Sequence, residues 1–202
     1  MDACCINLNE DKERWEKINN HVKELNLDFN IIRIPAIKHK TAKFGCAMSH
    51  QKAIEIAKEK NLDNILVIED DIKFNENSYK YFQEVIQQLP EDWDIMNGGP
   101  SWVFKLGNRV SDNLVKLGDF SGTHFMFYNK KSYDIILSWK WNCGKTNIDR
   151  YLGLCSRQNK INIYSSSPFI ATQFPGFSRI RNRNTNDDNL FKKTENIIKN
   201  RS

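Results

Sequence analysis

Asn64-Ile65-Leu66-Val67-Ile68-Glu69-Asp70-Asp71-Ile72 sets four consecutive aliphatic residues directly against three consecutive carboxylates. The continuous apolar run reads as a strand buried on both faces, the pattern of a parallel sheet. Three adjacent anions have no place in a core, because burying an unpaired charge is costly. At the carboxyl end of a parallel strand they sit where open α/β sheets bind ligands. A hard divalent cation with a phosphate on its far side would neutralise them. The bland reading is a solvated acidic turn, and the rest of the chain decides against it.

A chain of 202 residues predicts one domain, or one domain with a tail. The segment 1–180 reads as the domain, and 181–202 as a basic C-terminal tail. Hydrophobic content of 40% and charged content of 27% are those of an ordinary globular protein. The net charge of +5 favours an anionic ligand such as a nucleotide phosphate, or an acidic surface. Nucleic acid is not expected as a partner, since no basic stripe interleaves with aromatics before the C-terminus. The cysteines (Cys4, Cys5, Cys46, Cys143 and Cys155) are odd in number and form no Cys-x-x-Cys pair. Neither a disulfide framework nor a zinc site is indicated, and small buried apolar residues in a reducing compartment are expected. No apolar run approaches the roughly 18 residues of a membrane span. With the first strand starting close to Met1, no signal peptide is expected either, and the expected location is cytoplasmic.

Ala3 to Leu8 reads as a first strand, with Asn9 capping a helix whose first turn carries Glu10 and Asp11. Trp15, Ile18, Val22 and Leu25 follow at helical spacing and face the sheet. Phe29 to Ile34 is a second strand, so the unit is strand, helix, strand with a right-handed crossover. A second helix runs from about Lys43 to Lys60 on a stripe of Ala47, Ala53, Ile54 and Ala57. After the carboxylates, Asn77-Ser78 caps a third helix bearing Tyr79, Phe82, Val85, Ile86 and Leu89, stopped by Pro90. Trp93 to Asn97 is a strand. Trp102 to Leu117 reads as a small hairpin or loop excursion turning at Gly107-Asn108. Gly122 to Tyr128 is a strand, Lys130 to Trp141 a helix, and Thr146 to Asp149 caps a helix through Arg157. Ile161 to Tyr164 and Phe169 to Ala171 are short strands. Alternating strands and helices make an α/β fold with a largely parallel sheet.

Singly, the polar candidates have bland readings. Arg14 is a surface charge, His50 and His124 are structural histidines, Asp149 is a helix N-terminal residue, and Gly98-Gly99 is a turn. Together they resemble glycosyltransferase family 25, the lipopolysaccharide and collagen galactosyltransferase group. The resemblance is carried by Ile6-Asn7-Leu8-Asn9 with Arg14, by Gly45-Cys46-Ala47-Met48-Ser49-His50, and by Ile68-Glu69-Asp70-Asp71. It continues in Gly122-Thr123-His124-Phe125 with Tyr128, in Asn147-Ile148-Asp149-Arg150-Tyr151-Leu152, and in Pro168 to Gln173 followed by Ser178-Arg179-Ile180. Two departures stand out. Asn147 replaces a usual proline, and Arg179 replaces a usual aspartate. No histidine follows His124, so a C-terminal histidine ligand is absent.

The resemblance implies a GT-A fold, a Rossmann-like sheet flanked by helices, and transfer of a hexose from a UDP-sugar with inversion. Asp71 is expected to ligate Mn2+ or Mg2+, with Glu69 on the same side contacting the ribose or a metal-bound water, and Asp70 pointing away to support the loop. Asn9 and Arg14 are expected to meet the nucleotide, Arg14 through its fork geometry. Ser49 and His50 are expected to touch the nucleotide or brace the acidic loop. Asp149 is the candidate general base for the acceptor hydroxyl. The basic tail either folds over the diphosphate or is a mobile end. The acceptor is a glycan, a protein side chain or a lipid-linked sugar. The competing reading is a non-catalytic relative that binds a nucleotide or sugar within a glycosylation complex. Phosphoryl transfer ranks last because no GxxxxGK[ST] loop is present.

Overall fold

The computed structural model describes residues 1–140 and 147–201; Trp141, Cys143 and Thr146 of the sequence reading lie outside them. The chain opens with strand β1 (Asp2–Asn7), helix α1 (Lys12–Glu24), strand β2 (Asn30–Pro35), helix α2 (Ala42–Glu59) and strand β3 (Asn64–Glu69). β1 pairs in parallel with both β2 and β3. Helix α1 begins two residues later than expected. Asp11, not Asn9, is its N-cap, because Leu8 to Asp11 folds into a turn closed by the Asp11 amide on the Leu8 carbonyl. Asn26 ends it in the left-handed region at φ 50°, which asparagine tolerates.

The next elements are β4 (Ile72–Phe74), α3 (Ser78–Ile86), β5 (Ile95–Asn97), β6 (Trp102–Ser111), β7 (Leu114–Ser121) and β8 (Phe125–Asn129). Then come α4 (Tyr133–Leu137), α5 (Ile148–Arg157), β9 (Ile163–Ser166) and β10 (Ala171–Gln173). The segment from 102 is a long hairpin rather than a small excursion. Its turn lies at Asp112-Asn113, while Gly107-Asn108 falls inside β6 as a bulge between Leu106 and Arg109. The helix expected over 130–141 is a 3-10 turn at Lys130–Ser132 followed by the short α4.

The main sheet has eight strands in the order β2-β1-β3-β8-β5-β9-β7-β6. Following the pairings, six strands run one way and only β8 and β7 run against them. Helices cover both faces. Ile18 and Val22 of α1 and Phe82 and Val85 of α3 meet Leu66 and Ile68 on one face. On the other, Ala53 and Ile54 of α2 and Leu152 of α5 meet Ile65 and Val67. The alternation along β3 therefore feeds two cores, which is why its run is apolar throughout.

The basic segment after 180 is folded onto this body. Gly176–Ser178 (β11) pairs with Arg183–Thr185 (β12), and helix α6 (Asp188–Lys199) follows. Phe191 and Ile198 are buried in the core with Phe120 and Leu152. The Thr194 hydroxyl donates to the Ser101 carbonyl at 3.0 Å, and the Phe169 amide donates to Glu195 Oε1 at 2.6 Å. Arg109, from the hairpin, donates to the Ile198, Lys199 and Arg201 carbonyls, the orphan acceptors at the end of α6. Among the described residues no helix is long and apolar enough to cross a membrane. Phe191→Ala is expected to lower the unfolding free energy by about 3–5 kcal/mol in urea denaturation; a change near zero would mean that α6 is not part of the core.

Candidate active site

A cleft of about 850 Å3 opens at the carboxyl ends of β1, β2 and β3, and the three carboxylates stand on its floor. Each has its own partners. Asp70 accepts from Asn7 Nδ2 at 2.6 Å and from Arg14 Nη1 at 2.9 Å. Asn7 is buried and is itself oriented by Arg33, which donates to its Oδ1. Asp71 accepts from Gln173 Nε2 at 2.9 Å, and its carbonyl accepts from the Phe174 amide at 2.7 Å. Arg14 also lies 3.6 Å from Asp71 and donates to the Phe177 carbonyl, so its fork is engaged by protein on both sides.

Glu69 faces α2. Its Oε1 accepts from Thr123 Oγ1 at 2.6 Å, with Cys46 Sγ at 4.0 Å and His50 Nε2 at 3.5 Å. The Gly45-Cys46-x-x-Ser49-His50 spacing has a local explanation. A Cβ on Gly45 would lie 2.5 Å from the Ile37 carbonyl, so only glycine admits the 36–39 segment here. Ser49 donates to the Gly45 carbonyl and accepts from the Ile37 amide, tying the same segment down. Cys46 and His50, four residues apart, share the helix face that meets Glu69. His50 is fully buried and takes Tyr128 OH at 3.0 Å on Nδ1.

Asp149 lies in the first turn of α5 and lines the same cleft. Its Oδ2 accepts from the Gly122 amide at 3.2 Å and its Oδ1 from the Arg150 amide at 2.7 Å. Gly122 is left-handed at φ 100°, with Ser101 N 2.8 Å from where a Cβ would stand. Helix α5 is clamped to β7 by the buried Asp119, which ion-pairs with Arg150 at 3.0 Å and with Arg157. The Ser156 hydroxyl adds a bond to the Leu117 carbonyl. These contacts fix where Asp149 points.

Burial pushes the Asp71 carboxyl up to about 7, with the charges of Glu69 and Asp70 adding to it. Burial raises Asp70 as well, against the pull of Arg14 and Asn7. Glu69 goes the other way: burial would raise it, but His50 and Thr123 together outweigh that and hold it low. Burial raises Asp149, partly offset by the Gly122 and Arg150 amides. His124 is buried with no hydrogen bond to either ring nitrogen, and burial drops it to about 4.

Of the residues singled out from sequence, Arg14, Ser49, Glu69, Asp70, Asp71 and Asp149 line the cleft. Asn9 and His50 do not: Asn9 meets Arg33 only through its carbonyl, and His50 stands behind Glu69. Arg179, the departure in charge, is paired in bidentate fashion with Asp11 at the rim. Sequence reasoning passed over Asn7, Cys46, Thr123 and Gln173 as site residues. A polar Asn7 ending an apolar strand was the available signal for the first. Gln173 is reached only through the pairing of β10 with β4.

Residues 41–135 match the family model described as glycosyltransferase family 25 (LPS biosynthesis protein). That match spans a little under half of the chain and shows what this segment is similar to. The family 25 segment holds α2, the three carboxylates and Thr123, while Arg14, Asp149 and Gln173 come from outside it. The sheet is of the GT-A type. A Drosophila β1,4-galactosyltransferase 7 mutant, in complex with manganese, UDP-Gal and xylobiose, aligns at a TM-score of 0.50 and 12% identity over 92% of this chain and 74% of that one. A glycosyltransferase involved in glycosylation of the major capsid of PBCV-1 aligns at 0.41 and 14% identity, over 67% of this chain and 62% of that one. A nucleoside-diphosphate-sugar pyrophosphorylase from Vibrio cholerae aligns at 0.39 and 14%, over 82% and 72%. At such identity the first likeness shows the fold alone. The chain thus spans less than two thirds of the viral relative's length. No curated protein matches the chain.

The raised Asp71 carboxyl has a consequence for stability. A carboxyl that holds its proton more tightly when folded contributes stability below its ordinary value near 3.8, and that contribution is lost as pH rises through about 7. In chelator, Asp71→Asn is expected to melt close to wild type at low pH and above it at pH 8, checked by thermal melts across the range.

Proposed function

We propose that this protein is a metal-dependent inverting glycosyltransferase that moves a hexose, galactose or glucose, from a UDP-sugar to an acceptor hydroxyl. The observation that carries the reading is the placement of Asp71 and Asp149 on one cleft at the strand ends. The family 25 match supports the reaction class, and the Drosophila relative of this fold is recorded with manganese and UDP-Gal.

The residues fit a hard cation. Asp71 is an oxygen donor whose proton is held by burial and by the like charges beside it, a situation a divalent ion relieves. Among the described residues no third histidine, cysteine or carboxylate clusters with Asp71, which suits an ion held by one or two carboxylates and completed by substrate phosphates. Asp71 would hold Mn2+ or Mg2+, with Glu69 as the second carboxylate. The ion supplies positive charge to the departing UDP.

The protein's own residues do the rest. Asn7 and Arg14 take up the Asp70 charge, while Asp71, held at one oxygen by Gln173, lines the cleft. Asp149, raised by burial, is a stronger base than a solvated carboxylate. The Gly122 amide holds its Oδ2 in place, and that oxygen removes the proton as the acceptor oxygen attacks the anomeric carbon from the face opposite UDP. The acceptor is a glycan, a protein side chain or a lipid-linked sugar, and the reaction is assigned to the cytoplasm with no nucleic-acid partner.

UDP release from purified protein, across several UDP-sugars with manganese and with chelator, tests the reading. Manganese-dependent release from one sugar is expected. Asp149→Asn should cut it by about 10²–10⁴-fold while UDP binding persists. UDP binding without release, with or without a panel of acceptors, would overturn transfer in favour of a non-catalytic binding role.

A further inference from the structure

We propose that Cys46, His50 and Glu69 form a second metal site, softer in its donors than the carboxylate site with which it shares Glu69, that takes a Zn2+ ion bracing helix α2 to the end of β3. The inference goes beyond the glycosyltransferase reading and stands without it. The three ligand atoms, Cys46 Sγ, His50 Nε2 and Glu69 Oε1, lie within 4.8 Å of one another. Sγ is 4.0 Å and Nε2 is 3.5 Å from Oε1. Tetrahedral zinc with sulfur at ~2.3 Å and nitrogen and oxygen near ~2.0 Å needs ligand separations of roughly 3.3–3.6 Å. The two separations to Oε1 close by a few tenths of an ångström, and the Sγ–Nε2 pair, within 4.8 Å, closes by about an ångström at most through rotation of the Cys46 and His50 side chains.

A second observation points to a ligand. His50 is completely buried, and its Nε2 makes no hydrogen bond although it is aimed at Glu69. Its other nitrogen is held by Tyr128 OH at 3.0 Å, the outer contact that fixes the ring of a metal-binding histidine. The nearest acceptor to this buried ring nitrogen is Glu69 Oε1 at 3.5 Å, too long for a good hydrogen bond, and a cation between the two would satisfy both. Cys46 and His50 are presented by one helix at i and i+4, so the pair is pre-aligned before Glu69 joins. Cys46 and Glu69 also line the cleft, which gives an ion its entry path and leaves the fourth position open to solvent.

The donor set selects the metal. One sulfur, one imidazole and one carboxylate suit Zn2+, whereas Mg2+ and Mn2+ prefer oxygen alone. An unliganded cysteine is a thiol at neutral pH. Binding therefore releases one proton: the thiol gives H+ to solvent and the thiolate bonds to the ion.

Cobalt titration of the chelator-stripped full chain tests the site, because Co2+ replaces zinc and reports a bound thiolate by a near-ultraviolet charge-transfer band. The expected result is a band saturating at one equivalent, abolished by Zn2+ but not by excess Mg2+, lost in Cys46→Ser and kept in Asp71→Asn. Circular dichroism checks that each variant folds. In the unmutated protein, one equivalent of Zn2+ should shield Cys46 from alkylation, mapped by mass spectrometry, and raise the melting temperature. No band in folded wild type, a band that survives Cys46→Ser, or alkylation of Cys46 unaffected by Zn2+ would overturn the proposal. None of these readouts involves sugar transfer.

Discussion

The structure depends on holding three adjacent carboxylates at the end of a buried strand. Three anions in a row repel one another and lose hydration together, so each needs its own compensation. The molecule divides them by direction. Asp70 is taken by Asn7 and Arg14, from the first strand and helix. Glu69 is taken by Thr123, just before β8, and by His50 of α2. Asp71 is left with Gln173 and a distant Arg14, the least compensation of the three, and it alone has its carboxyl raised to about 7. All three line the cleft, and Asp71 is the one left least satisfied there.

The parallel half of the fold was legible in sequence because its signals are local. The apolar runs of β1, β2 and β3 and the helical stripes of α1 and α2 each declare themselves within a dozen residues. The other half was less so. β8 reads as one more strand, and nothing within it says that it inserts antiparallel between β3 and β5. Gly107-Asn108 has turn chemistry but lies in a bulge, because the pairing of Leu106 with Leu117 and Arg109 with Val115 sets the register. Helix α6 looked like a polar tail because most of its surface is polar, and its few buried residues, Phe191, Thr194 and Ile198, find their partners far away in sequence.

The site divides in the same way. Glu69, Asp70 and Asp71 are contiguous and could be read directly. Their partners could not, since Asn7, Thr123 and Gln173 lie about 50 to 100 residues away and meet the acidic turn only through sheet pairing. The Gly45-Cys46-x-x-Ser49-His50 element lies between these cases. As a sequence it is a pattern. As a structure it is a close backbone approach at Gly45, a hydroxyl tie at Ser49 and a polar face directed at Glu69.

The cleft wall is closed by residues 173–181 meeting residues 7–14, through Arg14 on the Phe177 carbonyl and Arg179 on Asp11. That seam joins segments more than 160 positions apart, so its loop-closure entropy is met only once nearly all of the chain is available. During synthesis the parallel core and its acidic turn emerge well before Gln173 and Arg179. A nascent chain therefore carries the carboxylates before the residues that complete their surroundings, Gln173 and Arg179, have been made.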